Sequence, residues 1–333
     1  MTNPNQANMR SRPVASVSLD LDNQWSYMKT HGDSGWESLP SYLDVLLPYT
    51  CDVLSEHGLS ITFFVVGQDA ALERNRDALG LIPTAGHTVG NHSFNHEPWF
   101  HLYTRSQVID EIERTEDAIE ESMGVRPRVF RGPGFSFCSM LLQVLADRGY
   151  VLDASTLPTF VGPLARMYYF WTSKFTKEER EQRKALFGTL AEGFRPLRPY
   201  AWRFSSGAEL LEIPVTTIPV LRTPFHLSYL LYLRRFSMKL LKAYLGTAIS
   251  LCRLTGTEPS FLLHPLDLLG GDQVPELRFF PGMDLDASQK REVFDYAIER
   301  LAEHFELVDM YEHAALIGQD SLRRHTVSAV EGA

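Results

Sequence analysis

Apolar and polar positions alternate along this chain with two periods. VASVSLDLD (14–22) alternates every second residue and predicts a strand. PSYLDVLLPYTCDVLSEHG (40–58) has helical spacing and stops at Gly58, a helix-ending signal. LSITFFVVG (59–67) is a nearly continuous apolar run, as a strand buried on both faces requires. A second helix is predicted over 69–85, then a short strand running into a turn, HTVGNHS (87–93). Val108, Ile112, Ile119 and Met123 share one face of a helix over 106–123, stopped by Gly124. The rhythm continues with a strand at 126–133, a helix at 138–149, and strands at 150–155, 209–218 and 260–267. A helix over 287–304 and a strand at 305–310 complete it. A β-α unit repeated in this way predicts parallel strands covered by helices, in one α/β domain over 14–318. Residues 1–13 predict a disordered lead and 319–333, which lack periodicity, a flexible tail.

Two stretches interrupt the rhythm. Residues 160–205 read as an insertion with aromatics followed by a charged helix. Residues 226–254 read as one or two amphipathic helices. If continuous, they place Arg234, Arg235, Lys239, Lys242 and Arg253 within an arc of about 140°.

Composition narrows the classes. The 333 residues are 44% hydrophobic, ample for a large core, and the net charge of −9 argues against nucleic acid as the partner. Cys51, Cys138 and Cys252 are odd in number and far apart, which points to a reducing compartment without a disulfide framework. The lead MTNPNQANMRSRP has no apolar signal core, and no apolar run approaches a membrane span, so a soluble cytoplasmic protein is expected. The charge is uneven: residues 160–255 hold 15 Lys and Arg against 6 Asp and Glu. That surplus fits an anionic partner, and the amphipathic segment would suit peripheral contact with an anionic inner-membrane surface. A solvated basic helix face is the plainer alternative.

Candidate chemistry sits where strands end. Asp20 and Asp22 are two apart and project together from one strand. His92 and His96 are four apart, so a helical turn would set both imidazoles on one face. Taken singly, these pairs also fit turn-capping aspartates and surface histidines. Together, two histidines and one aspartate make a three-ligand metal site with open positions, and the second aspartate remains as a base. Arg131 ends a strand ahead of a Gly-Pro-Gly turn, Asp153 ends the next, and His264 follows an apolar strand.

In order, SLDLD, NHSFNH, RGPGFS, LDAS and LLH resemble the five motifs of the polysaccharide deacetylases, carbohydrate esterase family 4. The resemblance spans roughly residues 14–310. It implies a distorted (β/α) barrel of about seven parallel strands and one divalent ion, zinc first, with cobalt or nickel as other fits. Carried over by position, Asp20 matches the catalytic base, and Asp22, His92 and His96 the metal ligands. Arg131 matches the arginine that holds the base, Asp153 lies in the fourth motif, and His264 matches the general acid. Backbone N–H groups of Gly134 and Phe135 would face the oxyanion, and Asp153 or Asp267 would tune His264. The implied activity is metal-assisted removal of an acetyl or formyl group from an N-acylated amino sugar, including a lipid- or phosphate-linked one. Leu21 separates aspartates that are adjacent in the common form of the first motif. RGPGF replaces the usual third motif, and the fourth lacks a tryptophan. These departures keep two other readings open: an allantoinase-like cyclic amide or ureide hydrolase, and an inactive sugar-binding member.

Overall fold

In the computed structural model, which describes residues 12–161, 193–318 and 322–327, Val14–Leu21 forms β1 in the middle of the sheet. Its period-two pattern separates two environments. Val17, Leu19 and Leu21 pack among the helices, in one cluster with residues of α2 (Leu43–Glu56), α8 (Met238–Thr255) and α9 (Ala287–His304). The alternate residues Ser16, Ser18 and Asp20 are polar and just as buried. They are partnered from within: Ser16 Oγ lies 2.9 Å from His313 Nδ1, and Ser18 Oγ accepts from Arg131 at 2.9 Å. Buried polar groups survive because each has such a partner.

The other strands are β2 (Thr62–Val65), β3 (Thr88–Asn91), β4 (Val129–Phe130), β5 (Leu152–Asp153), β6 (Tyr200–Arg203), β7 (Glu209–Glu212), β8 (Ser260–Leu263), β9 (Glu306–Val308) and β10 (Arg323–Thr326). They run in the order β10-β6-β7-β5-β4-β3-β2-β1-β8, with β9 also on β1. From β7 to β8 the sheet is parallel throughout, and these seven strands are the number expected. The ladder does not close into a full barrel. The segment after β7 spans the gap: Thr216 N–H donates to Ser260 O at 3.1 Å and Ser260 N–H to Thr216 Oγ1 at 2.7 Å. β6 is antiparallel to β7.

The remaining helices are α1 (Gln24–His31), α3 (Gly67–Ala70), α4 (Arg76–Thr84), α5 (Arg105–Met123), α6 (Ser139–Asp147), α7 (Leu227–Arg234) and α10 (Met310–Leu316). The structure corrects two expectations, adds one helix and divides the amphipathic segment into two. The helix predicted over 69–85 is broken into α3, a short 3-10 turn and α4. α1 was not foreseen, although Asn23 caps its N-terminus and Gly32 ends it in the left-handed region. The tail does not fray throughout, because residues 323–326 pair with β6 as β10. The amphipathic segment turns between α7 and α8, which splits its basic arc. Arg234 and Arg235 pair with Glu292 and Asp284, and Lys242 lies over the Tyr296 ring. Most of the predicted insertion, residues 162–192, lies outside the described residues, and its end supplies β6. No described helix is long and apolar enough to cross a membrane.

Candidate active site

The C-terminal ends of the parallel strands surround a cleft of about 260 Å³, where strands of this architecture bring functional groups together. Its walls include Asp20, Asp22, His92, His96, Gly134, Phe135 and His264, with Tyr27, Pro98, Pro133 and Phe280 as apolar flanks.

Asp22, His92 and His96 converge. One ligand atom from each lies within 4.8 Å of the others. Asp22 Oδ1 is 2.8 Å from His96 Nε2 and 3.5 Å from His92 Nε2. That oxygen is buried and makes no hydrogen bond of acceptable geometry. Burial alone would raise the Asp22 carboxyl, but His96 and His92 beside it hold it well below the carboxylate range. His92 Nδ1 is 2.6 Å from Arg131 O. A carbonyl only accepts, so Nδ1 carries the proton and the Nε2 lone pair faces Asp22. An orphaned buried carboxylate oxygen facing two imidazole nitrogens fits a divalent transition ion.

The histidine pair does not ride a helical turn. Its loop follows β3 and includes two left-handed residues, Ser93 (φ 62°) and His96 (φ 54°). Such backbone is costly for side-chain-bearing residues and persists only where surroundings hold it. Here they do. Asn91 Oδ1 accepts from Ser93 N–H at 2.8 Å, and buried Glu111 on α5 accepts from Phe94 and Asn95 N–H at 2.8 and 2.9 Å. Glu111 was not among the foreseen residues. The signal was an acidic residue on a helix face otherwise destined for the core. Glu111→Ala strands one buried and one half-buried N–H group of the ligand loop, so it is expected to lower metal affinity about 10–100-fold. Isothermal titration with zinc checks this, and unchanged affinity would show that the loop holds itself.

Behind the cleft, Arg131 is fully buried and spent on four partners, among them Met310 Sδ at 3.5 Å from Nη2. Nη1 donates to Asp20 Oδ1 at 2.6 Å and to Ser18 Oγ at 2.9 Å, while Nε donates to Ala154 O at 3.0 Å. The guanidinium lies 4.3 Å from the Phe64 ring centroid. Asp20 therefore keeps one oxygen on Arg131 and lines the cleft beside Asp22. Asp22 N–H folds back onto Asp20 O at 2.9 Å, so the two carboxylates reach one site through a tight turn at the strand end.

Across the cleft, His264 follows β8. Its Nδ1 is 3.2 Å from Ser228 Oγ and 3.6 Å from Asp267 Oδ2, an ion-pair distance. Asp267 is anchored by His264 N–H at 2.9 Å. Burial works against an imidazolium, but Asp267, then Asp20 and Asp22, outweigh it and raise His264 to about 9. The partner of His264 is thus Asp267 rather than Asp153. Asp153 is fully buried away from the cleft walls, bound by Ser155 Oγ at 2.5 Å. Of the two turn amides, Phe135 N–H is committed to Gly132 O at 3.0 Å, which leaves that of Gly134 as the candidate oxyanion donor.

The sequence profile described as "Polysaccharide deacetylase" matches residues 33–152, a span that holds His92, His96, Arg131 and Gly134. The chain is 31% identical over 107 residues to the uncharacterized protein YlxY of Bacillus subtilis, covering 32% of this chain and 31% of that protein. It is 29% identical over 105 residues to a peptidoglycan-N-acetylglucosamine deacetylase of Bacillus cereus, covering 32% and 37%. The chain thus spans about a third of the length of these curated relatives. Its fold matches a polysaccharide deacetylase candidate from Mycobacterium smegmatis with a TM-score of 0.61 at 18% identity, over 98% of this chain and 96% of that one. The gathering of the motifs at one sheet edge, the profile match over residues 33–152 and the shared fold make this chain similar to the polysaccharide deacetylases.

Proposed function

We propose that this protein is a metal-dependent amide hydrolase that removes an acetyl or formyl group from an N-acylated amino sugar. The observation that carries the reading is the meeting of three groups in one cleft: the Asp22, His92 and His96 triad, the Asp20–Arg131 pair, and the His264–Asp267 pair. Relatives whose names specify peptidoglycan or chitin deacetylation support the substrate class.

Asp22, His92 and His96 would hold the ion, zinc by donor set, with cobalt or nickel also suited. A divalent ion there supplies Lewis-acid chemistry, polarising a carbonyl and making water a better nucleophile near neutral pH. Asp20 Oδ1 is held by Arg131, so its Oδ2 is the atom that takes the proton of the attacking water. The Gly134 N–H faces the developing oxyanion. With Nδ1 turned to Asp267 and Ser228, His264 Nε2 presents a proton to the leaving amine, which departs poorly without one. The apolar flanks limit water around the acyl group.

His92→Ala is expected to lose bound metal and turnover together. Metal analysis beside an assay of N-acetylated and N-formylated amino sugars checks both. Full amidase activity in a metal-free variant would sink the reading. A lipid- or phosphate-linked sugar and peripheral contact with an anionic membrane extend the proposal. Exposed Tyr232, Phe236 and Leu240 beside Arg235 and Lys239 support that extension. Failure to float with anionic vesicles at low salt would remove it.

A further inference from the structure

Asp153 ends β5 and Glu212 ends β7, opposite each other in the parallel register. Both are fully buried, and neither lines the cleft. Two carboxyl groups this deep would not both be kept for packing, because each carries a large desolvation cost. Their bonds lead to the third motif. Ser155 Oγ donates to Asp153 Oδ1 at 2.5 Å and accepts from Gly132 N–H at 2.9 Å. Ala154 O accepts from Arg131 Nε at 3.0 Å, and Ala154 N–H donates to Phe130 O at 2.9 Å. Gly132 opens a turn so tight that a Cβ there would sit 1.9 Å from Ser136 O. Gly134 and Phe135 then follow at φ 58° and 59°. Such a turn needs outside support.

We propose that Asp153 and Glu212 form a positioning pair that acts through Ser155 to hold the Arg131–Phe135 turn in its working shape. The inference rests on the function proposed above, since that turn carries the oxyanion amide and the arginine behind Asp20.

The pair has a defined polarity. Glu212 Oε1 accepts from Thr156 N–H at 3.1 Å and from the Thr156 hydroxyl, and Oε2 accepts from Trp202 Nε1–H at 3.0 Å. Burial, and next the Asp153 charge, push the Glu212 carboxyl well above its usual range, which favours its neutral form. Asp153 Oδ1 accepts the hydrogen bond of the Ser155 hydroxyl. Ser155 Oγ is thereby committed as acceptor for Gly132 N–H. A glutamine at 212 cannot replace the acid, because its amide nitrogen would face either Trp202 N–H or Thr156 N–H.

The test compares Ser155→Ala, Asp153→Asn and the wild-type holoenzyme by steady-state kinetics and by hydrogen exchange of the 131–136 segment. Ser155→Ala is expected to lower kcat about 10–100-fold, as for loss of an orienting partner, with KM and bound metal unchanged. Its Gly132–Phe135 amides should exchange faster than in wild type. Asp153→Asn keeps a neutral acceptor for Ser155, so its kcat should fall by less than that of Ser155→Ala. A Ser155→Ala enzyme with wild-type kcat would overturn the proposal. So would an Asp153→Asn enzyme as slow as Ser155→Ala, which would mark Asp153 as chemically active. If the wild type hydrolyses none of the amino sugars, the functional reading fails, and exchange alone decides the positioning claim: equal exchange in wild type and Ser155→Ala refutes it.

Discussion

His264→Ala lowers kcat by about 10²–10⁴-fold, the usual worth of a positioned general acid, and leaves bound metal unchanged. His264 is separate from the ligand triad and stands across the cleft from it. The pH profile carries a sharper version of this expectation. A general acid works while protonated. With His264 raised to about 9, its contribution is full at neutral pH and is lost as pH rises through about 9. An ordinary imidazole would lose it near 6.5. Asp267→Asn removes the main favourable partner, so the alkaline limb of kcat should move down from about 9 toward the ordinary imidazole range. Metal analysis and kcat measured from pH 5 to 10 check both variants. An alkaline limb that stays in place in Asp267→Asn would assign that limb to another group.

Arg131→Met is the change with the largest expected effect on stability. Arg131 is fully buried and holds Asp20, Ser18 and Ala154 at once. Removing one partner of a buried pair costs about 3–5 kcal/mol, because the other charge is left without compensation. Asp20, itself only 5% exposed, is that other charge. Arg131→Lys is not a mild substitute, since one ammonium cannot reproduce a fork that bonds two side chains of β1 and the Ala154 carbonyl. The denaturation midpoint of each variant against wild type measures the effect. In the double variant Asp20→Asn/Arg131→Met no unpaired charge remains, so part of the loss should return. No recovery there would place the cost in packing against Phe64 rather than in the ion pair.

Much of the fold was legible because its signals are local. The period-two pattern of β1, the capped helix α5 and the late helix α9 appear within a residue or two of their predicted positions. β10 was not legible, since RRHT has no apolar alternation and becomes a strand only by pairing with β6. The broken helix between 69 and 85 has a similar cause. Buried Asp69 takes Asn23 and Trp25 as hydrogen-bond partners, a tertiary demand that helical spacing does not express.

By itself the sequence determined the residue types of the site and the strand ends that carry them: Asp20, Asp22, His92, His96, Arg131 and His264 each close or follow a recognisable strand. In a parallel sheet strand ends share one edge, so strand order alone brings these residues near one another. Only the tertiary structure decided how each is aimed. It replaced the supposed helical turn at His92 and His96 with a left-handed loop held by Glu111, and it gave His264 to Asp267. It also withdrew Asp153 from the cleft into a pair with Glu212, a residue 59 positions away whose meaning in the sequence is only that of a charge in a strand. The reason is physical. Periodicity records which face a side chain takes, whereas a hydrogen-bond partner depends on which strand lies alongside, and that is settled only when the chain has folded.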